Sequence, residues 1–315
     1  MVLKGRRVWV AGHSGMVGSA ICRRLAREEC NFLWAEFPEV DLRRPPDVDK
    51  WVAENRPEFV FVAAATVGGI NANNTRQAEF IYDNLMIEAN VIQAAYKNGV
   101  AKLLFLGSSC IYPREAPQPM NEDALLTGPL EPTNQWYAIA KIAGIKLCEA
   151  YRLQYGCNFI SAMPTNLYGF GDNFHLQYSH VLPALIAKMH IAKMEERREV
   201  GLWGTGQPRR EFLNVDDCAD ALVFLMKTYD GQQHVNIGTG TDLTVAELAG
   251  LIARVVGFEG AIRYDSSMPD GPVQKLLDVS MINALGWRAR VGLEDGIRAT
   301  YEWYRREVAR NNVRA

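Results

Sequence analysis

Tyr137 and Lys141, in "YAIAK", stand four residues apart and so share one side of any helix that carries them. A phenol is a useful proton donor or acceptor near neutrality only if its pKa of about 10 is moved, and a neighbouring ammonium moves it down by favouring phenolate. Taken alone, Y-x-x-x-K is a common chance pattern, and a surface pair is the plainer reading. Here it follows a strand-like run, "AKLLFLGSS", ending in Ser108 and Ser109. A serine hydroxyl at that end can help hold a reacting carbonyl oxygen beside the phenol.

A third feature, "AGHSGMVGSA", spaces Gly12, Gly15 and Gly18 as G-x-x-G-x-x-G between a strand-like and a helix-like run. Glycines there permit a tight turn and let backbone approach a pyrophosphate at the helix N-terminus. A glycine-rich turn without a ligand is the bland alternative. Two residues past Ser108 stands Cys110. A free cysteine is usually a small buried hydrophobe, but a thiolate is also a credible base if its pKa falls from about 8.5.

The histidines (His13, His175, His180, His190 and His234) show no metal-binding spacing, so no metal is expected. His180, before a helix-like run, reads as a cap or surface residue. A Cys–His hydrolase lacks support because no G-x-S-x-G elbow is present. Lys188, Arg209 and Arg210 are donors that suit a diphosphate, although "GTGQPRR" also reads as an ordinary surface turn.

The elements that must position these groups follow from periodicity. "RRVWVAG", "NFLWAE", "FVFVAAA", "AKLLFLGSS" and "CNFISAMPTN" read as strands. "MVGSAICRRLAREE", "YDNLMIEANVIQAAYKNG" and "NQWYAIAKIAGIKLCEAYRLQYG" read as helices between them. Buried strands alternating with helices imply an α/β fold, a doubly wound parallel sheet of Rossmann type. Its ligand crevice lies beyond the carboxyl ends of the strands. After Tyr168 the chain turns loop-like, then gives the helix-like "HVLPALIAKMHIAKMEERRE" and, after a Thr244 cap, "TVAELAGLIARVVGF". The expected division is a dinucleotide-binding domain over residues 1–168, with 211–235 returning to it, and a smaller α/β substrate lobe over 169–210 and 236–315.

The chain has 315 residues, 48% apolar and 22% charged, with a formal net charge of −2. That balance gives no footprint for nucleic acid or anionic lipid. Six cysteines form no C-x-x-C pair, which fits a reducing, cytoplasmic setting. The start has too short an apolar run for a signal peptide, and the most apolar stretch, the twelve-residue "FVFVAAATVGGI", is too short to span a bilayer as a helix. Neither nucleic acid nor membrane is expected as a partner.

The glycine loop, the serine strand end and the Tyr–Lys pair resemble the extended short-chain dehydrogenase/reductases, which act on nucleotide sugars. "AGHSGMVGSAI", "AAATVGGINANN", "LLFLGSSCIYP", "EPTNQWYAIAKIAGIKLCEAY", "MPTNLYG", "SHVLPAL" and "REFLNVDD" narrow the resemblance to the GDP-L-fucose synthase family, and it runs over essentially the whole chain. It implies that Ser108, Tyr137 and Lys141 are a reductase triad and that Cys110 and His180 are the acid–base pair of a 3,5-epimerisation. It carries NADP(H) contacts onto Gly12, His13, Ser14, Gly15, Met16, Val17, Gly18, Asp41, Leu106, Gly107, Ser108, Ser109, Lys141, Pro164, Thr165, Asn166, Leu167 and His180. GDP-sugar contacts fall on Lys188, Trp203, Arg210 and Asp270. A homodimer is the family's expectation. By the same resemblance, dehydratases usually carry an acidic residue near position 110, whereas simple 4-epimerases need no proton-moving group there.

One segment departs from the family pattern. NADP-dependent members carry arginine in the glycine loop and after the second strand. This chain has Ser14 and "WAEFPEV" there, and Glu36 lies about twenty residues past the glycines, where a carboxylate accepts from a ribose 2′-hydroxyl. Those residues alone favour NAD(H). His13, Arg43 and Arg44 are nearby cations that offer a 2′-phosphate substitute contacts, so NADPH is expected to be preferred, with weakened discrimination.

Overall fold

The computed structural model describes residues 1–267 and 270–313. In chain order the first part runs β1 (Arg7–Ala11), α1 (Met16–Leu25), β2 (Asn31–Leu33), α2 (Pro45–Asn55), β3 (Phe59–Val62), α3 (Ile70–Thr75), α4 (Gln77–Lys97), β4 (Lys102–Leu106), α5 (Gln135–Tyr155) and β5 (Phe159–Pro164). Then come β6 (Asn166–Tyr168), α6 (Val181–Met194), β7 (Glu199–Trp203), β8 (Arg209–Arg210), β9 (Phe212–Asn214), α7 (Val215–Thr228) and β10 (Val235–Ile237). The chain closes with β11 (Leu243–Thr244), α8 (Val245–Val256), β12 (Ala261–Asp265), β13 (Gln274–Lys275), α9 (Ser280–Ala284) and α10 (Leu293–Ala309).

Six strands form one parallel sheet in the order β10-β5-β4-β3-β1-β2. Its central strands are buried along their whole length, which is why they read as unbroken apolar runs rather than alternating ones. The order reverses between β1 and β3, so a crevice opens beyond their carboxyl ends. The turns after β1, β3, β4 and β5 all lead into it.

A second, smaller core joins α6, α8 and α10 with the β7–β12 pair, through residues such as Leu185, Ile186, Leu248, Ile252, Ile297 and Tyr301. Helix α8 begins at the expected Thr244: the hydroxyl accepts from the Glu247 amide at 3.0 Å and the Glu247 carboxylate accepts from the Thr244 amide at 2.7 Å. The return to the larger sheet goes further than residue 235. Ile237, Leu277, Ile282 and Trp287, which the sequence reading grouped with the smaller lobe, lie in the larger core. The reason is that β10 pairs with β5, and the segment before α9 is bridged to Met120. Residue 315, the expected end of the smaller lobe, lies outside the described residues. No described helix is long and apolar enough to cross a membrane.

Candidate active site

Two cavities meet over the carboxyl ends of β4 and β5. The first, of about 900 Å³, follows the sheet crevice. Every position assigned above to the dinucleotide lines it, from Gly12 through Gly18 to Asp41, Leu106–Ser109, Lys141, Pro164–Leu167 and His180. The loop after β1 suits a pyrophosphate. Gly12 has φ +86°, and a Cβ there would stand 2.6 Å from the Ala64 backbone; a Cβ on Gly18 would stand 2.0 Å from the Gly12 carbonyl. Helix α1, N-capped by Gly15, has no side-chain cap and no acid in its first turn, so its positive end faces the cleft unscreened.

The second cavity, of about 720 Å³, runs from Cys110 and His180 outward between the two cores. Lys188, Trp203, Arg210 and Asp270 all line it. Lys188, one of those donors, lies on α6, the helix that His180 caps, and makes no ion pair or hydrogen bond among the described residues. Asp270 is already engaged, accepting from the Thr205 amide at 2.7 Å and the Thr205 hydroxyl at 2.8 Å. Arg209, expected at the diphosphate, does not line the cavity. Successive residues of a strand face opposite ways, so Arg210 meets the cavity while Arg209 turns to Asp242, donating through Nε at 2.9 Å.

Ser108, Ser109, Tyr137, Asn166, Leu167 and His180 line both cavities. Chain geometry explains the meeting. After β4 the backbone enters a single 3-10 turn over Ser109–Ile111, started by Ser108, whose hydroxyl accepts from the Cys110 amide at 3.4 Å. Tyr137 lies in the first turn of α5, edge-on to Phe80, and Lys141 follows one turn on, with its Nζ 5.8 Å from the Tyr137 ring centre.

Burial sets the protonation of these groups. It pushes Tyr137 well above its ordinary value, with Cys110 and Glu88 adding to the rise. The lowering expected from Lys141 does not appear among the influences on the phenol, which rests protonated. Cys110 is also pushed up by burial, against Lys275, the Ser108 hydroxyl and Lys141, so the resting group is a thiol rather than a thiolate. His180 is pushed down, chiefly by burial and then by Lys275, and rests as neutral imidazole. The thiol can give up a proton, and the neutral imidazole can take one up or donate its N–H.

Lys275 escaped the sequence reading. It lies in a two-residue strand paired with β8, directly beside Arg210, and it lines the second cavity with Glu131. Nothing in "PVQKLL" marks it; only the pairing brings it to the site. Two asparagines were missed as well. Asn73 donates to the carbonyls of Gly68 and Gly69 at 2.8 and 3.1 Å and lines both cavities, and Asn134 lines the second. Their Oδ1 atoms are buried without a partner. The remaining histidines have structural contacts: His175 Nδ1 accepts from the Gln177 amide at 3.1 Å, His190 meets the Tyr301 hydroxyl at 3.1 Å, and His234 meets the Tyr112 hydroxyl at 3.0 Å. No cluster of three metal-ligating side chains occurs among the described residues.

At the outer end of the first cavity, His13 Nε2 lies 3.1 Å from Glu36. Arg43 donates to Asp41 through Nη2 at 2.8 Å and approaches Asp83 at 3.5 Å. Arg44 is exposed near Asp47 at 3.7 Å and does not line the cleft, so of the three expected cations only His13 and Arg43 reach it.

Residues 8–238 match the model of the NAD dependent epimerase/dehydratase family. A GDP-L-fucose synthase of Sinorhizobium fredii is 56% identical over 98% of this chain and 99% of its own length. A GDP-6-OMe-4-keto-L-xylo-heptose reductase from C. jejuni superposes with a TM-score of 0.92 at 37% identity, covering 98% of this chain and 99% of that one. A GDP-L-fucose synthetase from Naegleria fowleri, bound to NADP, superposes with a TM-score of 0.91 at 26% identity, covering 100% of this chain and 98% of that one.

Proposed function

The chain belongs to the NAD dependent epimerase/dehydratase family, and from that premise we propose that it converts GDP-4-keto-6-deoxy-D-mannose to GDP-L-fucose with NADP(H) as its cofactor. Carbons three and five are epimerised first, and the ketone at carbon four is then reduced. The observation that carries this reading is the junction of the two cavities, where Cys110 and His180 stand with Ser108, Tyr137 and Lys141. The full-length similarity to a GDP-L-fucose synthase and the NADP-bound relative support it.

The ketone acidifies the hydrogens on its neighbouring carbons. Inverting a centre then needs a proton taken from one face and returned to the other. A resting thiol and a neutral imidazole become a base and an acid when one proton passes from sulfur to nitrogen, and Lys275 favours that proton's departure from Cys110. Ser108 steadies the carbonyl oxygen, and Tyr137, resting protonated, gives that oxygen its proton as carbon four is reduced. The glycine loop and the open end of α1 hold the dinucleotide's pyrophosphate, and Lys141 borders its cleft. When bound, the reduced nicotinamide supplies the hydride for carbon four. Of the cations lining the second cavity, Lys188, Lys275 and Arg210 suit the substrate's diphosphate. The six unpaired cysteines support a reducing, cytoplasmic setting, and the working form is a homodimer, checked by light scattering.

The test is purified protein with GDP-4-keto-6-deoxy-D-mannose and NADPH, with the product sugar identified. GDP-L-fucose is expected. Dinucleotide binding without turnover would instead indicate a sensor, and reduction without inversion at carbons three and five would indicate a simple 4-reductase.

A further inference from the structure

The buried face of α4 is formed by Phe80, Asn84, Ile87, Glu88, Val91 and Ile92, and it packs against α5. Two of these residues are polar, and they are treated differently. Asn84 is fully used: its Oδ1 accepts from the Thr66 amide at 2.9 Å, and its Nδ2 donates to the Thr66 and Phe80 carbonyls at 3.0 and 2.6 Å. Glu88 is 2% exposed, and neither of its buried oxygens completes a hydrogen bond. The charged group nearest to it is Lys141, whose Nζ lies 4.0 Å from its Oε2.

Two other buried charges show what a purely structural solution looks like in this protein. Glu211 accepts from the amides of Thr239, Gly240 and Leu277 at 2.6, 2.8 and 3.0 Å. Lys102 donates to the carbonyls of Leu225 and Tyr229 at 3.2 and 2.5 Å and to Asp230 at 3.0 Å. Glu88 instead faces Lys141 and the Gly144 amide, and neither completes a hydrogen bond to it. A buried carboxylate left without hydrogen bonds is costly, and in a helix interface an apolar side chain would pack at lower cost. Its value therefore lies in its charge.

Geometry says where that charge acts. Lys141 is 2% exposed, with its Nζ 4.8 Å from the Phe105 ring centre and 5.8 Å from that of Tyr137. The dinucleotide cleft borders Lys141, and Glu88 is its partner within α4. We propose that Glu88 is a positioning residue for the reduction: it holds the Lys141 ammonium charged where the dinucleotide cleft meets Tyr137. This rests on the reading of Tyr137 and Lys141 as the reducing pair.

The groups facing the pair on the packed elements are Tyr137, Cys148 and the Gly144 amide on α5, Cys110 after β4, and Ser161 on β5, which meets Cys148. Burial acts on Lys141 in the direction of losing its proton, while Glu88 and then Cys110 act to retain it. Burial pushes Glu88 up to about 7, against Lys141 and the Gly144 amide. The carboxylate thus forms as pH rises past neutrality, where an unsupported buried ammonium would begin to fail. Removing it lowers the pKa of Lys141, so the loss of rate must grow with pH.

The experiment measures kcat/KM for NADPH oxidation with the keto-sugar from about pH 6 to 9 in wild type, E88Q and E88D, each checked for fold by circular dichroism. The alkaline limb of E88Q should move down by about one pH unit or more, the scale of an opposite charge removed at this distance. E88D, with its carboxylate withdrawn by one methylene, should move the limb the same way by less. A loss uniform across pH, or an unmoved limb, overturns the proposal. If E88Q does not fold, E88D decides: a limb that stays in place overturns it. A wild type that makes no GDP-L-fucose would instead overturn the underlying reading, a distinct outcome.

Discussion

The two cavities of this protein are built by opposite means. The dinucleotide cleft is largely backbone: glycines after β1 and strand ends after β3, β4 and β5, each supplied by a short contiguous segment. Its rim groups already have partners, His13 beside Glu36 and Arg43 with Asp41. The sugar cavity is largely side chain, gathered from α6, β7, β8, β13 and the loops after β4 and before α5. Its cations are less committed: among the described residues neither Lys188 nor Lys275 has an ion pair or hydrogen bond. One cavity is a preformed cradle, and the other holds charge in reserve for a ligand that brings its own.

The sharpest test of that contrast separates the two chemistries where the cavities meet. Tyr137→Phe removes the proton donor for reduction while leaving Cys110 and His180 in place. NADPH oxidation should fall by at least about 10²-fold, the usual scale for a positioned acid, while deuterium exchange at carbons three and five persists to a larger extent. Cys110→Ser should do the reverse, cutting exchange by about tenfold or more with little change in dinucleotide affinity. Exchange that falls as far as reduction in the phenylalanine variant would mean that the phenol also steadies the enolate. Wild-type exchange in the serine variant would return Cys110 to packing.

The same contrast explains what the sequence disclosed. The glycine spacing, the strand ends and the Thr244 cap are local, since the residues that make each feature are neighbours in the chain. Tyr137 and Lys141 are legible for the same reason, one helical turn apart. Arg209 and Arg210 are adjacent letters, yet the strand sends one to Asp242 and the other to the cavity. Lys275 is delivered by a two-residue strand paired with β8, which no periodicity announces. Glu88 did leave a trace: an acid on the apolar face of "NLMIEANVI" is itself an anomaly that asks for a partner. The resting protonation of the phenol and thiol was not legible, because it is set chiefly by burial, a property of the fold.

Lys275→Met tests the reserve of charge. Lys275 favours loss of the proton from both Cys110 and His180, so its removal should raise the pKa of each. Whichever of the two removes the substrate proton, it must be deprotonated to do so, and raising its pKa shifts the acid limb of the exchange rate to higher pH. A shift of about one unit is expected for a lost neighbouring cation, with exchange down about tenfold on the acid side and recovering above it. An unmoved limb would mean that Lys275 is neutral at rest or serves the substrate alone.

The smallest effect concerns the cradle's outer rim. Glu36 stands where a carboxylate accepts from a ribose 2′-hydroxyl, which favours NADH, and repels a 2′-phosphate. In the structure that carboxylate is turned to His13 Nε2 at 3.1 Å, and Arg43, the other cation at the rim, is held by Asp41. A 2′-phosphate must therefore compete with Glu36 for His13 and with Asp41 for Arg43, where an arginine-bearing rim would offer donors free of such competition. NADPH should be preferred over NADH by less than about tenfold in kcat/KM, a difference under about 1.4 kcal/mol. Glu36→Gln keeps the shape, removes the repulsion and frees His13, so it should raise the NADPH preference several-fold, mostly through KM. A tenfold preference for NADH in the wild type would overturn this ordering and identify Glu36 as a ribose ligand. An unchanged ratio in the variant would show that the His13–Glu36 pair stands clear of the phosphate.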